Sequence, residues 1–143
     1  MREKALNYLG MMRKANAIDI GETDTGAAAR ANKAKLVLLA SDASDNAVKR
    51  AEGFVYGRGI PLVVSPFTKS EISDTVGKNG CSMAAICDIG FAGAFIKCLC
   101  AVKPGEYDEA AKIIEDELSK AKKLKQERKA HEKNTRTGKR RKN

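Results

Sequence analysis

Apolar positions along this chain switch repeatedly between a helical and a strand period. In "EKALNYLGMMRKA", Ala5, Leu9 and Met12 recur at helical spacing with Lys4, Arg13 and Lys14 turned outward, which predicts a first helix. "AIDIG" is a short apolar alternation ending in glycine, a weak strand. Gly21 to Asn32 reads as a second helix, with Thr23 or Asp24 as its cap and "AAAR" favouring the helical state. Its small face predicts close packing on a sheet. "KLVLLA", Lys35 to Ala40, is a continuous apolar run of the kind found in a strand covered on both faces.

The alternation continues. "SDASDNAVKRAEGFVYGRG" predicts a capped helix whose stripe is Ala47, Ala51, Phe54 and Val55. "PLVVSP" predicts a strand with prolines at its ends, and "TKSEISDTVGK" a short helix with Thr68 and Glu71 spaced as a capping box. "NGCSMAAIC" predicts a turn and a buried strand, and "DIGFAGAFIKCLCAV" a helix returning to the core. Strands alternating with helices indicate an α/β layered sandwich with a mostly parallel or mixed sheet of about four strands.

After Pro104-Gly105 the pattern changes. Tyr107, Ala111, Ile114, Leu118 and Ala121 follow helical spacing, and the apolar stripe runs out after Leu124. Glu106, Asp108 and Glu109 begin this segment and bases end it, as the helix dipole favours. At 1.5 Å per residue it could reach about 40 Å. The first half is expected to dock and the rest to project. The expected divisions are an α/β domain over 1–103, an amphipathic then basic helical extension over 104–132, and a disordered basic tail over 133–143.

Charge sharpens that division. The chain carries 27 Lys/Arg against 18 Asp/Glu, a formal +9, and residues 119–143 hold 12 of the bases and two of the acids. Residues 1–118 therefore hold 15 bases and 16 acids. A basic run of this kind neutralises phosphates and adds affinity that carries no sequence information. Lys122, Lys123, Lys125, Arg128, Lys139, Arg140, Arg141 and Lys142 are the candidates.

Catalytic signals are absent. The sequence has no phosphate-binding glycine loop, no nucleophile elbow, and one histidine, His131, in the charged segment. Asp42, Asp45 and Asp88 lie just past expected strand ends, and their neighbours Ser41, Ser44 and Asn46 favour helix capping over chemistry. The four cysteines form no C-x-x-C pair and read as reduced core thiols, so no metal site and no cofactor are expected. Without an apolar run of membrane-spanning length or a signal-peptide pattern, a cytoplasmic protein is expected. Neither a membrane nor a small-molecule substrate is expected as a partner.

"GETDTGAAARANKAKLVLLASDAS", "IPLVVSPFTKSEISDTVGK" and "MAAICDIGFA" together resemble the ribosomal kink-turn-binding proteins, the large-subunit L-seven-Ae and L-thirty-e relatives and their small bacterial homologues. The resemblance covers about Lys4 to Phe95. It implies a three-layer α/β/α sandwich and a sharply kinked RNA with tandem sheared G·A pairs as ligand, in ribosomal RNA or another structured RNA. The start of the second helix would enter that kink through a glycine and an Asn-Glu-x-x-Lys pattern. Here the glycine is Gly21, Asn becomes Thr23, Glu becomes Asp24, and Lys becomes Ala27. Asp24 and Thr23 retain hydrogen-bonding groups, whereas Ala27 has lost the phosphate contact and Gly26 loosens the helix. The loop Gly77 to Ser82 would cover an extruded nucleotide, with Cys81 and Met83 as its apolar groups or as ordinary core. The RNA-binding set implied is Gly21, Glu22, Thr23, Asp24, Lys33, Lys35, Lys78, Cys81, Ser82 and Met83.

Two other roles fit the same fold: a protein-interaction scaffold that binds no RNA, and an accessory domain of an RNA-modifying enzyme. The chain has no room for a full catalytic domain beside the body, which weighs against the second.

Overall fold

The computed structural model describes the backbone of residues 1–79 and 81–142, and side chains through residue 129 apart from Gly80. Helices α1 (Arg2–Lys14), α2 (Glu22–Arg30), α3 (Asp45–Val55), α4 (Lys69–Val76), α5 (Ile89–Val102) and α6 (Asp108–Lys142) alternate with strands β1 (Ile18–Ile20), β2 (Leu36–Leu39), β3 (Leu62–Val64) and β4 (Met83–Ile86). The strands form one sheet in the order β1-β4-β2-β3. β4 lies antiparallel to both β1 and β2, and β2 lies parallel to β3, so β1, β2 and β3 all point the same way.

The two central strands carry no polar residue, and all of their residues are buried. Alternation sends their side chains to opposite faces. Leu36, Leu38, Ala84 and Ile86 meet α1, α5 and the start of α6, whereas Val37, Leu39, Met83 and Ala85 meet α2 and α3. The result is the expected three-layer α/β/α sandwich with a mixed sheet of four strands.

Helix α1 buries Ala5, Leu9 and Met12, the residues its spacing selects. α2 buries Thr25, Gly26, Ala28 and Ala29. A Cβ on Gly26 would sit 2.9 Å from the Phe54 ring, so this glycine permits close approach of α2 to α3 rather than loosening the helix. Capping also follows the sequence: Ser44 caps α3, Thr68 and Glu71 form the capping box of α4, and Asp88 caps α5. Asp42 accepts from the Lys69 N–H at 2.8 Å. The cap of α2 differs from expectation. Neither Thr23 nor Asp24 caps it; the helix starts earlier, at Glu22, because Gly21 turns the chain at φ 97, ψ 164, a conformation open almost only to glycine.

The sheet therefore has two rims. At the end rim, where β1, β2 and β3 finish, lie Gly21, the Ala40–Ser44 turn, Ser65–Phe67 and the approach to β4. They are joined by Gly21 N–H to Met83 O (3.0 Å), Ala40 N–H to Ser82 O (2.9 Å) and Ser41 N–H to Phe67 O (2.8 Å). At the start rim lie Ala17, Lys35 and Pro61, joined through Cys87 N–H to Ala17 O (2.8 Å), Lys35 N–H to Ile86 O (2.7 Å) and Val37 N–H to Pro61 O (3.0 Å).

Helix α6 runs from one rim to the other. The Tyr107 hydroxyl donates to Val64 O at 2.7 Å, beside the end of β3, and Glu117 pairs with Lys35 at 3.0 Å, before the start of β2. Tyr107, Ala110 and Ile114 enter the core, so the first half docks as expected. The helix then continues to Lys142 without a break at 132, where the expected extension gives way to the expected tail. Lys and Arg in this stretch favour the helix, although Asn134, Thr135, Thr137 and Gly138 do not. Among the described residues no helix is long and apolar enough to cross a membrane.

Candidate nucleic-acid interface

The end rim gathers six of the residues that the sequence singles out. Gly21, Glu22, Thr23 and Asp24 form the first turn of α2, and the Gly21–Met83 hydrogen bond fastens that turn to the segment carrying Lys78 and Ser82. No side chain caps α2, so the N–H groups of its first turn carry the positive end of the helix dipole without a local acceptor. Thr23 and Asp24 are exposed beside them.

Ion pairs stand at this rim, and among the described residues Lys4 and Lys69 join none. Lys78 Nζ donates to Ile20 O at 3.2 Å and to Asp24 Oδ2 at 3.4 Å, spanning the gap between β1 and α2. Arg50 of α3 holds Glu22 through both carboxylate oxygens at 2.8 Å. Arg2 binds Glu71 at 2.6 Å, and this guanidinium, helped by the Thr68 N–H, draws the Glu71 carboxyl down to about 2. Along the outer side of α2, a 250 Å³ hollow is lined by Asp19, Asp24, Ala27, Ala28, Ala31 and Lys33. Two carboxylates against one ammonium repel phosphate along most of this hollow, while small side chains leave room for a base or sugar.

Four assignments change. Cys81 and Met83 are 0% exposed, so neither offers its side chain to a ligand. Cys81 Sγ donates to Lys78 O at 2.8 Å, and Met83 packs in the α2–α3 cluster, because β4 is covered on both faces. Lys33 and Lys35 lie at the start rim, at the far end of α2 from Gly21; nine residues at 1.5 Å each separate them from it by about 14 Å. Lys35 is engaged with Glu117. The Gly80 position of the loop lies outside the described residues.

Of the basic segment, Lys122, Lys123, Lys125 and Arg128 are exposed on α6. The side chains of Lys139, Arg140, Arg141 and Lys142 lie outside the described residues.

The thiols divide. Cys81 and Cys98 are buried, whereas Cys87 and Cys100 are half-buried rather than core. Burial, then the Asp19 carboxylate, pushes Cys87 up to about 11; burial also raises Cys100. Both stay protonated near neutral pH and are poor nucleophiles.

Two features escaped the sequence reading. Thr25 is fully buried, and its Oγ1 has no hydrogen-bond partner among the described residues. Tyr56 is 86% exposed at the end of α3. The signal for Tyr56 was present in "YGRG", an aromatic residue set before a glycine-flanked arginine, but it was absorbed into the helix end.

No family model matches the chain. The RNA-binding protein YlxQ of Enterococcus faecium is 35% identical to it over 91 residues, 64% of this chain and 86% of that protein. A protein of unknown function from Bacillus halodurans superposes with a TM-score of 0.58 at 22% identity, covering 78% of this chain and 97% of its own. The Giardia lamblia 15.5 kD RNA-binding protein superposes with a TM-score of 0.50 at 17% identity, over 78% of this chain and 82% of its own. These two structures share the fold.

Proposed function

The chain belongs to the family of the RNA-binding protein YlxQ, and from that premise we propose that it binds folded RNA, in the cytoplasm, without catalysing a reaction on it. The body over 1–103, braced by the docked start of α6, selects the RNA, and the basic extension over 104–132 with the tail over 133–143 adds phosphate affinity. The RNA contains a kink-turn, carried by ribosomal RNA or by another structured RNA.

The observation that carries this reading is the fastening of an uncapped helix start to the approach of β4, with Asp24, Thr23, Lys78 and Ser82 beside it. Small groups at Gly21 and Ala27 let an RNA strand come close. Asp24 accepts hydrogen bonds from base amino groups once RNA displaces Lys78 from it. Lys78 then becomes the phosphate contact of this rim, entering from the loop instead of from position 27, where the family pattern carries lysine. Exchange of the Asp24–Lys78 pair for RNA contacts is inexpensive, since a surface ion pair contributes about 0–1 kcal/mol.

The test compares a kink-turn duplex with a straight duplex in which Watson–Crick pairs replace the G·A pairs. Wild-type chain is expected to prefer the kinked duplex, and Asp24→Ala to lose about 10- to 100-fold of that preference, the range for one good base contact. Equal affinity of wild type for the two duplexes would overturn the kink-turn reading, and an unchanged preference in Asp24→Ala would overturn base reading by Asp24.

A further inference from the structure

Exposed cations without an ion-pair partner gather at the start rim. Helices α1, α2 and α3 all finish there. α1 and α2 close in the same way, with an asparagine in the left-handed region: Asn16 at φ 55 and Asn32 at φ 58. The Asn16 and Asn32 N–H groups bond to Arg13 O and Ala29 O, and the next N–H groups to Met12 O and Ala28 O. These stops leave Arg13 and Lys14 at one helix end and Arg30 and Lys33 at the other, all exposed.

α3 ends in Tyr56-Gly57-Arg58-Gly59, with both glycines at φ 70 and nothing within 4 Å of where their side chains would start. Arg58 lines a 240 Å³ hollow with Asn32, Ala34, Lys35, Gly59, Ile60 and Glu117. Past Glu117, α6 carries its exposed lysines away from this same rim. Glu117 in the hollow pairs with Lys35, Asp88 accepts from the Phe91 N–H, and Asp19 lines the neighbouring hollow with Lys33 without pairing with it. Among the described residues, no carboxylate lies within ion-pairing distance of Lys33 or Arg58.

We propose that the start rim is a second RNA surface, which holds an unpaired strand flanking the folded RNA bound at the end rim. Tyr56 stacks on a base, Arg58 and Lys33 hold the adjoining phosphates, and the exposed lysines of α6 continue the track. The inference rests on the RNA-binding function proposed above. Helix dipoles account for a cation at each helix end. They do not account for a tyrosine, Tyr56, that is 86% exposed two positions before Arg58. Stacking platforms next to basic side chains are the usual means of holding single-stranded RNA. The two surfaces lie about 14 Å apart, the length of α2, and the hollow that contains both Asp24 and Lys33 connects them. A strand leaving the folded RNA at Gly21 can therefore reach the start rim within a few nucleotides.

The sequence contains no tryptophan, so Tyr56→Trp supplies a single reporter at an exposed position. Full-length Tyr56→Trp is titrated with two end-labelled RNAs, a blunt kink-turn duplex and the same duplex with a single-stranded extension. Anisotropy reports binding and tryptophan emission reports stacking. The extended RNA is expected to bind on the order of 10-fold more tightly and to quench Trp emission, which the blunt RNA leaves unchanged. Tyr56→Ala should erase that gain, and Tyr56→Phe should keep it. Arg58→Gln should reduce it while leaving blunt-duplex affinity within about twofold, since one fewer phosphate is held. If the RNAs bind equally and Trp emission does not move, the second surface is wrong while the proposed function stands. Equal weakening of both RNAs by Arg58→Gln also overturns it. If neither RNA binds, both conclusions fall.

Discussion

The two rims of the sheet differ in how they treat charge. At the end rim Arg2, Arg50, Lys78 and Lys103 each face a carboxylate, in Glu71, Glu22, Asp24 and Glu106. At the start rim the Lys35–Glu117 pair stands beside exposed Lys33 and Arg58. A rim whose cations are largely paired gains less from a generic polyanion, so the selectivity proposed for it rests on geometry: hydrogen-bonding edges, a bend, a close-fitting strand. A rim with unmatched cations holds phosphates whatever their sequence. The two proposals together put selection and retention at opposite ends of one small body.

The largest effect that could break this contrast is ionic. If the basic extension neutralises about five phosphates, RNA affinity should fall roughly 500-fold between 50 and 200 mM salt. Replacing Lys122, Lys123, Lys125 and Arg128 by Gln should lower the log–log salt slope by about 3 to 4 while leaving the preference for kinked over straight duplex in place. A slope that does not move would place the phosphate contacts elsewhere.

Next in size is Gly21→Ala. The added methyl meets no atom, so its cost is backbone strain alone, about 1–3 kcal/mol measured by urea unfolding. A change near zero would mean that the start of α2 readjusts freely and is not a fixed recognition edge. Thr25→Val should stabilise the fold by about 1 kcal/mol, since it removes a buried hydroxyl that has no partner. If instead stability falls, the hydroxyl is hydrogen-bonded in solution.

The smallest effect is the pH response of the Arg2–Glu71 pair. A carboxyl held near 2 in the folded chain, against about 4.3 when unfolded, stabilises the fold above the unfolded value. That contribution fades as the pH drops from about 4.3 toward 2. Because both side chains are at least one-third exposed, solvent screening leaves about a few tenths of a kcal/mol. Thermal unfolding of Glu71→Gln should show a correspondingly flatter acid limb, and an identical acid limb would remove the pair from the stability of this rim.

Layering was legible because two strands are uninterrupted apolar runs and α1 spaces Ala5, Leu9 and Met12 at helical intervals. Strand order was not, since nothing local in "MAAI" says that it enters between β1 and β2. The cap of α2 was misread because a Thr and an Asp near a helix start look like capping residues, while the turn is set by the backbone of Gly21. Lys33 and Lys35 follow Gly21 closely in sequence, yet an intervening helix carries them to the opposite rim. Cys81 and Met83 read either as loop groups or as core, and the covering of β4 on both faces decides for core. The basic extension was visible from composition, whereas its direction was not: that depends on Tyr107 and Glu117 being fixed at opposite rims.

The central position of β4 also governs how the molecule comes into being. Ile18 and Leu36 both pair with Ile86, so β1 has no neighbour, and β2 has only β3, until the chain has returned across dozens of residues. Closing loops of that length is entropically costly before it yields contacts, and folding slows accordingly. An incomplete chain ending after α4 would have neither the clasp at Gly21 nor the junction at Lys35. The clasp at Gly21 and the junction at Lys35 thus form together, only when the last strand has been inserted.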